Sequence, residues 1–311
     1  MNVSERPSPN TRTAPPLPTR DGVGPSCVAL PDGPWPTIAE FLLQRFPDVP
    51  ASTWAQRIAQ GEVVDEHGVA VTPQRAHQAR LRVFYYRSVA AEPHIPFTES
   101  LLFQDQWLLV VDKPHFLPVT PGGQHLQETL LVRLKRRLGL DTLAPLHRLD
   151  RETAGVVLFS VQPATRGAYA ALFAQRRVVK HYEAIVPWRP GLPLAQTHRS
   201  RVVHDTHFMR MCEAPGEPNS ETHIELLDVQ AGQARLRLSP LTGRKHQLRV
   251  HCAALGMPIV NDSIYPTLLP PGSDDFAQPL RLIARSIAFD DPLSGQPRAF
   301  ASQRLLPIAP G

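Results

Sequence analysis

The sequence predicts an α+β fold with a mixed, largely antiparallel sheet, preceded by a smaller α+β module. Residues 222–229 and 233–239 have the composition of two strands that a short Ala-Gly turn joins without a helix. Such a pair is expected to be antiparallel. Strand-like and helix-like segments alternate before this pair, and 311 residues are enough for one large and one small domain.

The smaller module begins with two short helices. Ile38, Phe41 and Leu42 recur at helical spacing, and Trp54 and Ile58 mark the second helix. A glycine at position 61 is expected to end that helix, because glycine adopts the left-handed backbone of a C-cap. Further along, the pattern predicts a hairpin and a further strand, at residues 63–64, 69–71 and 81–86.

Composition sets the expected domain boundaries. Residues 1–34 begin with a Pro-, Ser- and Thr-rich stretch that offers little apolar surface, so we expect a disordered or extended leader. The small module then covers residues 35–89. A proline-containing linker separates it from the large domain, which we expect at residues 97–307.

In the large domain, residues 107–111 form a short apolar run that predicts a strand. Leu130, Leu134 and Leu138 then recur at helical spacing and predict a buried helical stripe. Residues 156–159 predict another strand, and apolar residues around Leu172 predict the helix that follows it.

The bulk composition is that of an ordinary globular protein, with 42% hydrophobic and 20% charged residues. No segment approaches the roughly 20 apolar residues of a membrane helix, so no membrane association is expected. The net charge of +5 is compatible with a polyanionic partner. The sequence does not determine the oligomeric state, and a monomer is the default expectation.

Cys27, Cys212 and Cys252 form no Cys-x-x-Cys pair, which favours a reducing, cytoplasmic location. His246 and His251 resemble a zinc-binding pair, but no cysteine pair is close enough in sequence to complete a site. The sequence therefore predicts neither a metal nor a cofactor.

One short segment, residues 147–155, contains the main candidate catalytic residue and several charged neighbours. It places Asp150 between Arg148 and Arg151, immediately before an apolar strand. A carboxylate beside arginines is expected to stay ionised at neutral pH, so that it can act as a nucleophile or base without a metal. The arginines suit a phosphate-bearing substrate. The alternative is a surface salt-bridge cluster at the mouth of the strand.

This segment resembles the His-Arg-Leu-Asp signature of the RluA-type RNA pseudouridine synthases. Further blocks of that family are matched in order at residues 107–114, 180–186, 241–251 and 255–262. The resemblance implies a pseudouridine synthase catalytic domain that isomerises uridines in structured RNA without a cofactor. Ribosomal RNA is the favoured target over transfer RNA. The small module resembles a ribosomal-protein-type RNA-binding module.

The resemblance also implies roles for individual residues. Asp150 corresponds to the catalytic aspartate, and Tyr182 corresponds to the tyrosine expected to stack on the extruded uracil. Arg244 is expected to be the ion-pair partner of Asp150. Arg148 is expected to fill the gap that the target base leaves, because extruding a base costs a few kcal/mol.

Other cations are candidates for RNA binding. Lys245 and Arg249 are four residues apart, which predicts one helical face directed at phosphates. Arg151, Arg133 and Arg136 complete the set, although such runs are also typical of solvated helix faces. A non-catalytic RNA-binding or RNA-chaperone protein is the alternative function. A metal-dependent hydrolase is disfavoured, because the sequence contains no convincing ligand cluster.

Overall fold

A computed structural model describes residues 15–89, 91–189, 191, 196–270, 272 and 274–308. The chain divides into two compact units, Met1–Ala90 and Ala91–Gly311. Within the described residues, no helix is both long enough and apolar enough to cross a membrane. The part of the expected leader at residues 1–14 lies outside the described residues.

The first unit contains two helices and three antiparallel strands. Its elements are β1 (Ser26–Ala29), α1 (Ile38–Arg45), α2 (Ala51–Ala59), β2 (Val63–Asp65) and β3 (Arg82–Tyr85), with strand order β1-β3-β2. Thr37 caps α1 by accepting a hydrogen bond from the Glu40 amide at 3.2 Å. Gly61 has φ +68°, as expected for a residue that ends a helix.

Part of the expected disordered or extended leader, residues 1–34, belongs to the folded first unit, so the small module starts before residue 35. Ser26 to Ala29 pair with β3, and Leu30 is buried in the core of the first unit. Sequence periodicity missed this strand because it is short and half-exposed, so that only its pairing with β3 defines it.

The second unit is built on one large sheet. Its strands are β4 (Ser100–Gln104), β5 (Leu108–Lys113), β6 (Ala144–Pro145), β7 (Ala154–Ser160), β8 (Val179–Pro187), β9 (Thr197–His204), β10 (Met211–Ala214), β11 (Ser220–Gln230), β12 (Gln233–Pro240), β13 (Leu282–Asp290) and β14 (Pro297–Ala301). The strand order is β10-β9-β11-β12-β8-β13-β7-β5-β4, with β14 on β13 and β6 on β7. Among the described strands, the β13–β7 pair is parallel and the others are antiparallel. The predicted fold class is confirmed.

Helices pack on both faces of this sheet. They are α3 (Leu130–Leu138), α4 (Pro163–Ala174) and α5 (Gln247–Ala254). Alternate residues of β5 and β7 point to opposite faces, so Val111 and Val157 pack in the cluster that contains α3 residues, whereas Val110 and Val156 pack with α4. Both strands are buried along their length. The loop that leads into β7 is therefore attached to a strand that is packed on both faces.

Candidate active site

Asp150 lies in the loop between β6 and β7, shortly before the fully buried strand β7 begins at Ala154. Near the start of β7, Gly155 pairs with Ala284 of β13 and has φ +112°. A Cβ at this position would lie 2.2 Å from the Ala284 carbonyl oxygen, so only glycine permits the strands to approach so closely. The sheet thus determines where the carboxylate of Asp150 is presented.

Asp150 lines an open pocket of about 760 Å³. A smaller cavity of about 110 Å³ shares several lining residues with it, including Asp150 and Tyr182. Among the described residues that line either cavity, Asp150 is the one acidic side chain. Its side chain is 29% exposed, which leaves the carboxylate accessible to a ligand.

The cation paired with Asp150 is Arg249. The Arg249 Nη1 atom lies 3.7 Å from Asp150 Oδ2, and among the described residues the other basic side chain within 4.0 Å of this carboxylate is His246, at 3.9 Å. Our prediction that Arg244 is this partner is therefore wrong. The Arg244 side chain is exposed, and its Nε donates to the Asn219 carbonyl oxygen at 3.0 Å.

Arg249 is 1% exposed, so the prediction that it faces RNA phosphates is also wrong. Its Nη2 donates to Glu152 and to Asp262, each at 2.6 Å, and its Nε donates to Asp262 at 2.8 Å. Burial disfavours the charge, but the hydrogen bonds and charge of Asp262, followed by the charges of Glu152 and Asp150, raise the pKa of Arg249. Arg249 is therefore a permanent buried cation beneath Asp150.

Asp262 gives Arg249 its orientation. Its side chain is fully buried and also accepts hydrogen bonds from the backbone amides of Ile264 and Tyr265, at 2.8 and 2.9 Å. Glu152 is held from the other side by the Ser263 hydroxyl. Because both carboxylates have fixed partners, the guanidinium has little freedom to turn away from Asp150.

His246 approaches Asp150 as a neutral ring. Burial lowers the pKa of His246 to about 4. Its Nδ1 lies 3.0 Å from the Tyr265 hydroxyl, which accepts a hydrogen bond from the Met211 amide at 2.7 Å. A hydroxyl that already accepts from an amide is free to donate to Nδ1, an arrangement that leaves the hydrogen on Nε2, facing Asp150.

Lys113 secures the loop that follows Asp150. Its fully buried Nζ donates to the carbonyl oxygens of Pro114, Leu117 and Arg151, at 2.9, 2.8 and 3.0 Å. Burial lowers the pKa of Lys113 well below its ordinary value, although the nearby charge of Asp150 opposes this shift. This lysine and its carbonyl partners tie β5 to the Asp150 loop.

Tyr182 lies on β8 between β12 and β13, where it lines both cavities. Burial, followed by the charge of Asp150, raises the pKa of its phenol, so the group is protonated at neutral pH.

His147 has a structural role: its Nε2 accepts from the Leu158 amide at 3.1 Å, and its ring stacks on Phe173.

Unpaired cations surround the pocket. Within the described part of the chain, five cationic side chains that line it have no carboxylate within 4.0 Å: Arg148, Arg176, Lys180, Arg244 and Lys245. We call these five residues the rim cations. Burial lowers the pKa of Lys180, whose Nζ lies 3.5 Å from the Thr242 carbonyl oxygen. A group of cations without counter-ions is typical of a surface that binds an anion.

The remaining predicted RNA-binding arginines have other contacts. Arg133 pairs with Glu128 and donates to the Phe97 carbonyl oxygen at 2.7 Å, so its guanidinium is engaged within the fold. This prediction is wrong, because the side chain is largely buried. Arg151 lines the pocket but pairs with Asp274. Arg136 lies on α3, with its Nη1 3.5 Å from the Gln127 side-chain oxygen.

Sequence reasoning missed the buried groups that organise the site, including Lys113, Glu152 and Asp262. All three lie inside the segments that match the family, and this position could have marked them as candidate site residues. Their roles depend on burial and on long-range contacts, which the motif spacing does not report.

Residues 107–254 match the family described as RNA pseudouridylate synthase. The dual-specificity RNA pseudouridine synthase RluA of Haemophilus ducreyi is 30% identical over 68% of this chain and 95% of its own length. The ribosomal large subunit pseudouridine synthase D of Nitrosomonas europaea is 28% identical over 70% of this chain and 60% of its own length. The structure of human RNA pseudouridylate synthase domain containing 1 is 25% identical, with a TM-score of 0.54, over 69% of this chain and 86% of that chain.

The family match and these relatives thus define the class of protein, an RNA-modifying isomerase. This chain belongs to the RluA-type family of RNA pseudouridine synthases.

Proposed function

We propose that the second unit converts specific uridines of structured RNA to pseudouridine with Asp150 as the nucleophile, and that ribosomal RNA is the preferred substrate. One observation carries this proposal: an accessible carboxylate, Asp150, lies among cations that, within the described structure, have no carboxylate within 4.0 Å. The rim cations suit the phosphates on either side of a target nucleotide. The carboxylate suits attack on its sugar.

The geometry around Asp150 supports a nucleophilic role. Arg249 and His246 lie 3.7 and 3.9 Å from its oxygens, beyond ordinary hydrogen-bond length. The charge is therefore stabilised while the oxygen lone pairs remain available. Arg249 is fixed before substrate binds, as expected for a preorganised electrostatic site.

In this proposal a carboxylate oxygen of Asp150 attacks the sugar carbon C1′ of the target uridine. The bond between C1′ and the base nitrogen N1 breaks, and its electron pair leaves with the uracil. After the base turns, its C5 attacks C1′ and the bond to Asp150 breaks, so that its electron pair returns to the carboxylate. The C5 proton then passes to a base, water included, and N1 gains a proton from solvent, which gives neutral pseudouridine. Other covalent or proton-transfer routes that begin at Asp150 also require an ionised carboxylate.

Tyr182 and Arg148 act on the base and on the space it leaves. The half-buried ring of Tyr182 provides an apolar face for an unstacked uracil, and its protonated phenol is a hydrogen-bond donor. Arg148 is exposed at the pocket and is free of carboxylate partners in the described structure. It suits insertion into the gap that the extruded base leaves.

The preference for ribosomal RNA rests on the first unit and on relatives. Two helices and three antiparallel strands are consistent with the ribosomal-protein-type RNA-binding module that the sequence resembles. One relative acts, by its name, on the ribosomal large subunit. We further propose a monomer in the cytoplasm, which agrees with three free cysteines among the described residues.

The decisive experiment treats RNA that lacks pseudouridine with the protein and maps new pseudouridines at nucleotide resolution. Ribosomal and transfer RNA are assayed separately. We expect site-specific modification of ribosomal RNA by the wild type and none by Asp150→Asn. RNA binding without any modification by the wild type would instead indicate a non-catalytic RNA-binding protein.

A further inference from the structure

A second cluster of polar side chains lies where β9, β10 and α5 meet. It consists of His198, Glu213 and His251, none of which lines the cavities at Asp150. One potential ligand atom from each residue lies within 4.8 Å of the other two. His198 Nε2 is 2.7 Å from Glu213 Oε1, and the rings of His198 and His251 are centred 4.7 Å apart.

We infer that His198, Glu213 and His251 bind a divalent transition-metal ion of the zinc class. Two imidazole nitrogens and one carboxylate oxygen are a ligand set that zinc accepts, with a further position left for water. The mixture of nitrogen and oxygen donors disfavours magnesium and calcium, which prefer oxygen ligands.

The surroundings of His251 support this assignment. Its Nδ1 lies 3.0 Å from the Thr222 hydroxyl oxygen, which accepts from the Gln247 side-chain amide at 3.0 Å and has a second lone pair that can accept a hydrogen on Nδ1. Such a partner on the second ring nitrogen is typical of a metal-binding histidine and leaves Nε2 as the ligand atom. The hydroxyls of Ser220 and Ser200 lie 2.9 and 3.1 Å from Nε2, so an ion that binds this nitrogen takes the place of these two contacts.

The cluster also combines a rigid part with an accessible part. His251 is 1% exposed, whereas the side chains of His198 and Glu213 are 18% and 26% exposed. An ion can therefore enter from the hairpin side and bind against a fixed nitrogen. It would join the β9–β10 hairpin to the helix that also carries Arg249, which gives it a structural role.

The sequence-based expectation of no metal considered His251 together with His246 and the absence of a cysteine pair. The structure instead brings His251 to residues 38 and 53 positions before it, on two different strands. No local spacing motif connects these three positions. That is why the ligand set is visible only after folding.

The test uses full-length protein dialysed against a chelator and titrated calorimetrically with zinc chloride alone. We expect one ion to bind per chain. His198→Ala and Glu213→Gln should each weaken binding by more than about tenfold, because even losing a supporting contact of a metal site costs about that much. Both side chains are partly exposed, and the unfolding curves of the metal-free variants will show whether they are folded.

His223→Ala is the matched control. His223 and Glu221 form another histidine–glutamate pair on neighbouring β11, with His223 Nε2 3.7 Å from Glu221 Oε1. This variant should bind zinc like the wild type. Absence of binding, binding that His198→Ala leaves unchanged, or equal loss in His223→Ala would overturn the inference. Pseudouridine formation is measured separately, so failure of this inference leaves the proposed function intact.

Discussion

The floor and the rim of the pocket use the same cationic residue types in opposite ways. By the floor we mean the buried residues Arg249 and Lys113, which support Asp150 and its loop and whose donors are satisfied by carboxylates or carbonyl oxygens. On the rim, Arg148, Arg244 and Lys245 are exposed and have no carboxylate partner in the described structure. The difference separates cations that organise the site from cations that are free to bind a polyanion.

Replacing Asp150, the proposed nucleophile, should have the largest effect. Asp150→Asn keeps the size of the side chain and removes its charge. We expect turnover to fall by at least about 10³-fold, because removing a nucleophile leaves only the contribution of binding. Single-turnover pseudouridine assays measure this loss. RNA affinity and the unfolding curve should stay close to wild type, and near-normal turnover would refute the role of Asp150.

Removing the floor cation should affect stability as well as activity. Arg249→Met leaves Glu152 and Asp262 buried without their cation. Breaking a buried ion pair in this way costs about 3–5 kcal/mol. Urea unfolding measures this free energy. Arg244→Met is the matched control and should change it by less than about 1 kcal/mol, because the side chain is exposed. Equal losses in the two variants would remove the distinction between floor and rim.

Tyr182 tests whether the pocket holds a flat base. Tyr182→Phe keeps the ring and should reduce turnover by less than about 10²-fold, whereas Tyr182→Ala should reduce it more. The limit follows from the usual contribution of a proton-transfer group, about 10²–10⁴-fold. Turnover at saturating RNA separates the two variants. If they are equally impaired, the hydroxyl rather than the ring is the essential part.

A rim substitution should weaken RNA binding in a salt-dependent way. Arg244→Gln removes one unpaired cation and should reduce the slope of log affinity against log salt by about 0.7–0.9. Filter-binding measurements at several salt concentrations provide the slope. Arg237→Gln is the control, because Arg237 is an exposed arginine on β12 that pairs with Glu225 at 2.7 Å. An unchanged slope in Arg244→Gln would contradict phosphate binding at this position.

The smallest expected effect is a pH dependence of the free energy of unfolding, which arises from histidines that folding buries. Burial lowers the pKa of His246 and His115 to about 4 and that of His147 to about 3, from an ordinary value of 6.5. Below pH 6.5 the unfolded chain binds protons that the folded chain does not. The free energy of unfolding should therefore fall as the pH falls from 6.5 to about 4, and it should be fully retained above 6.5.

Urea unfolding at pH 7.5 and pH 5 measures this change, which for each histidine approaches about 1.4 kcal/mol per pH unit within that window. His147→Gln should make the pH dependence shallower. If the variant and the wild type show the same pH dependence, His147 does not contribute to the loss of stability at low pH.

Much of the architecture followed from local patterns. Alternation in β12 and the leucine spacing of α3 predicted those elements, because side-chain direction repeats with a short period in strands and helices. The signature around Asp150 also predicted the candidate nucleophile, because its residues are adjacent along the chain and can be recognised without the fold. The short edge strand β1 was missed, since its pairing with β3 is a long-range event.

By itself, the sequence determined the α+β fold class, the family and the position of Asp150. Only the tertiary structure decided that Arg249, rather than Arg244, supports this carboxylate. Both arginines lie in one block, five positions apart, but α5 buries one against Asp262 and leaves the other exposed. The meeting of His198, Glu213 and His251 was likewise decided by folding. Burial and electrostatic pairing depend on which distant segments pack together, and spacing along the chain does not carry that information.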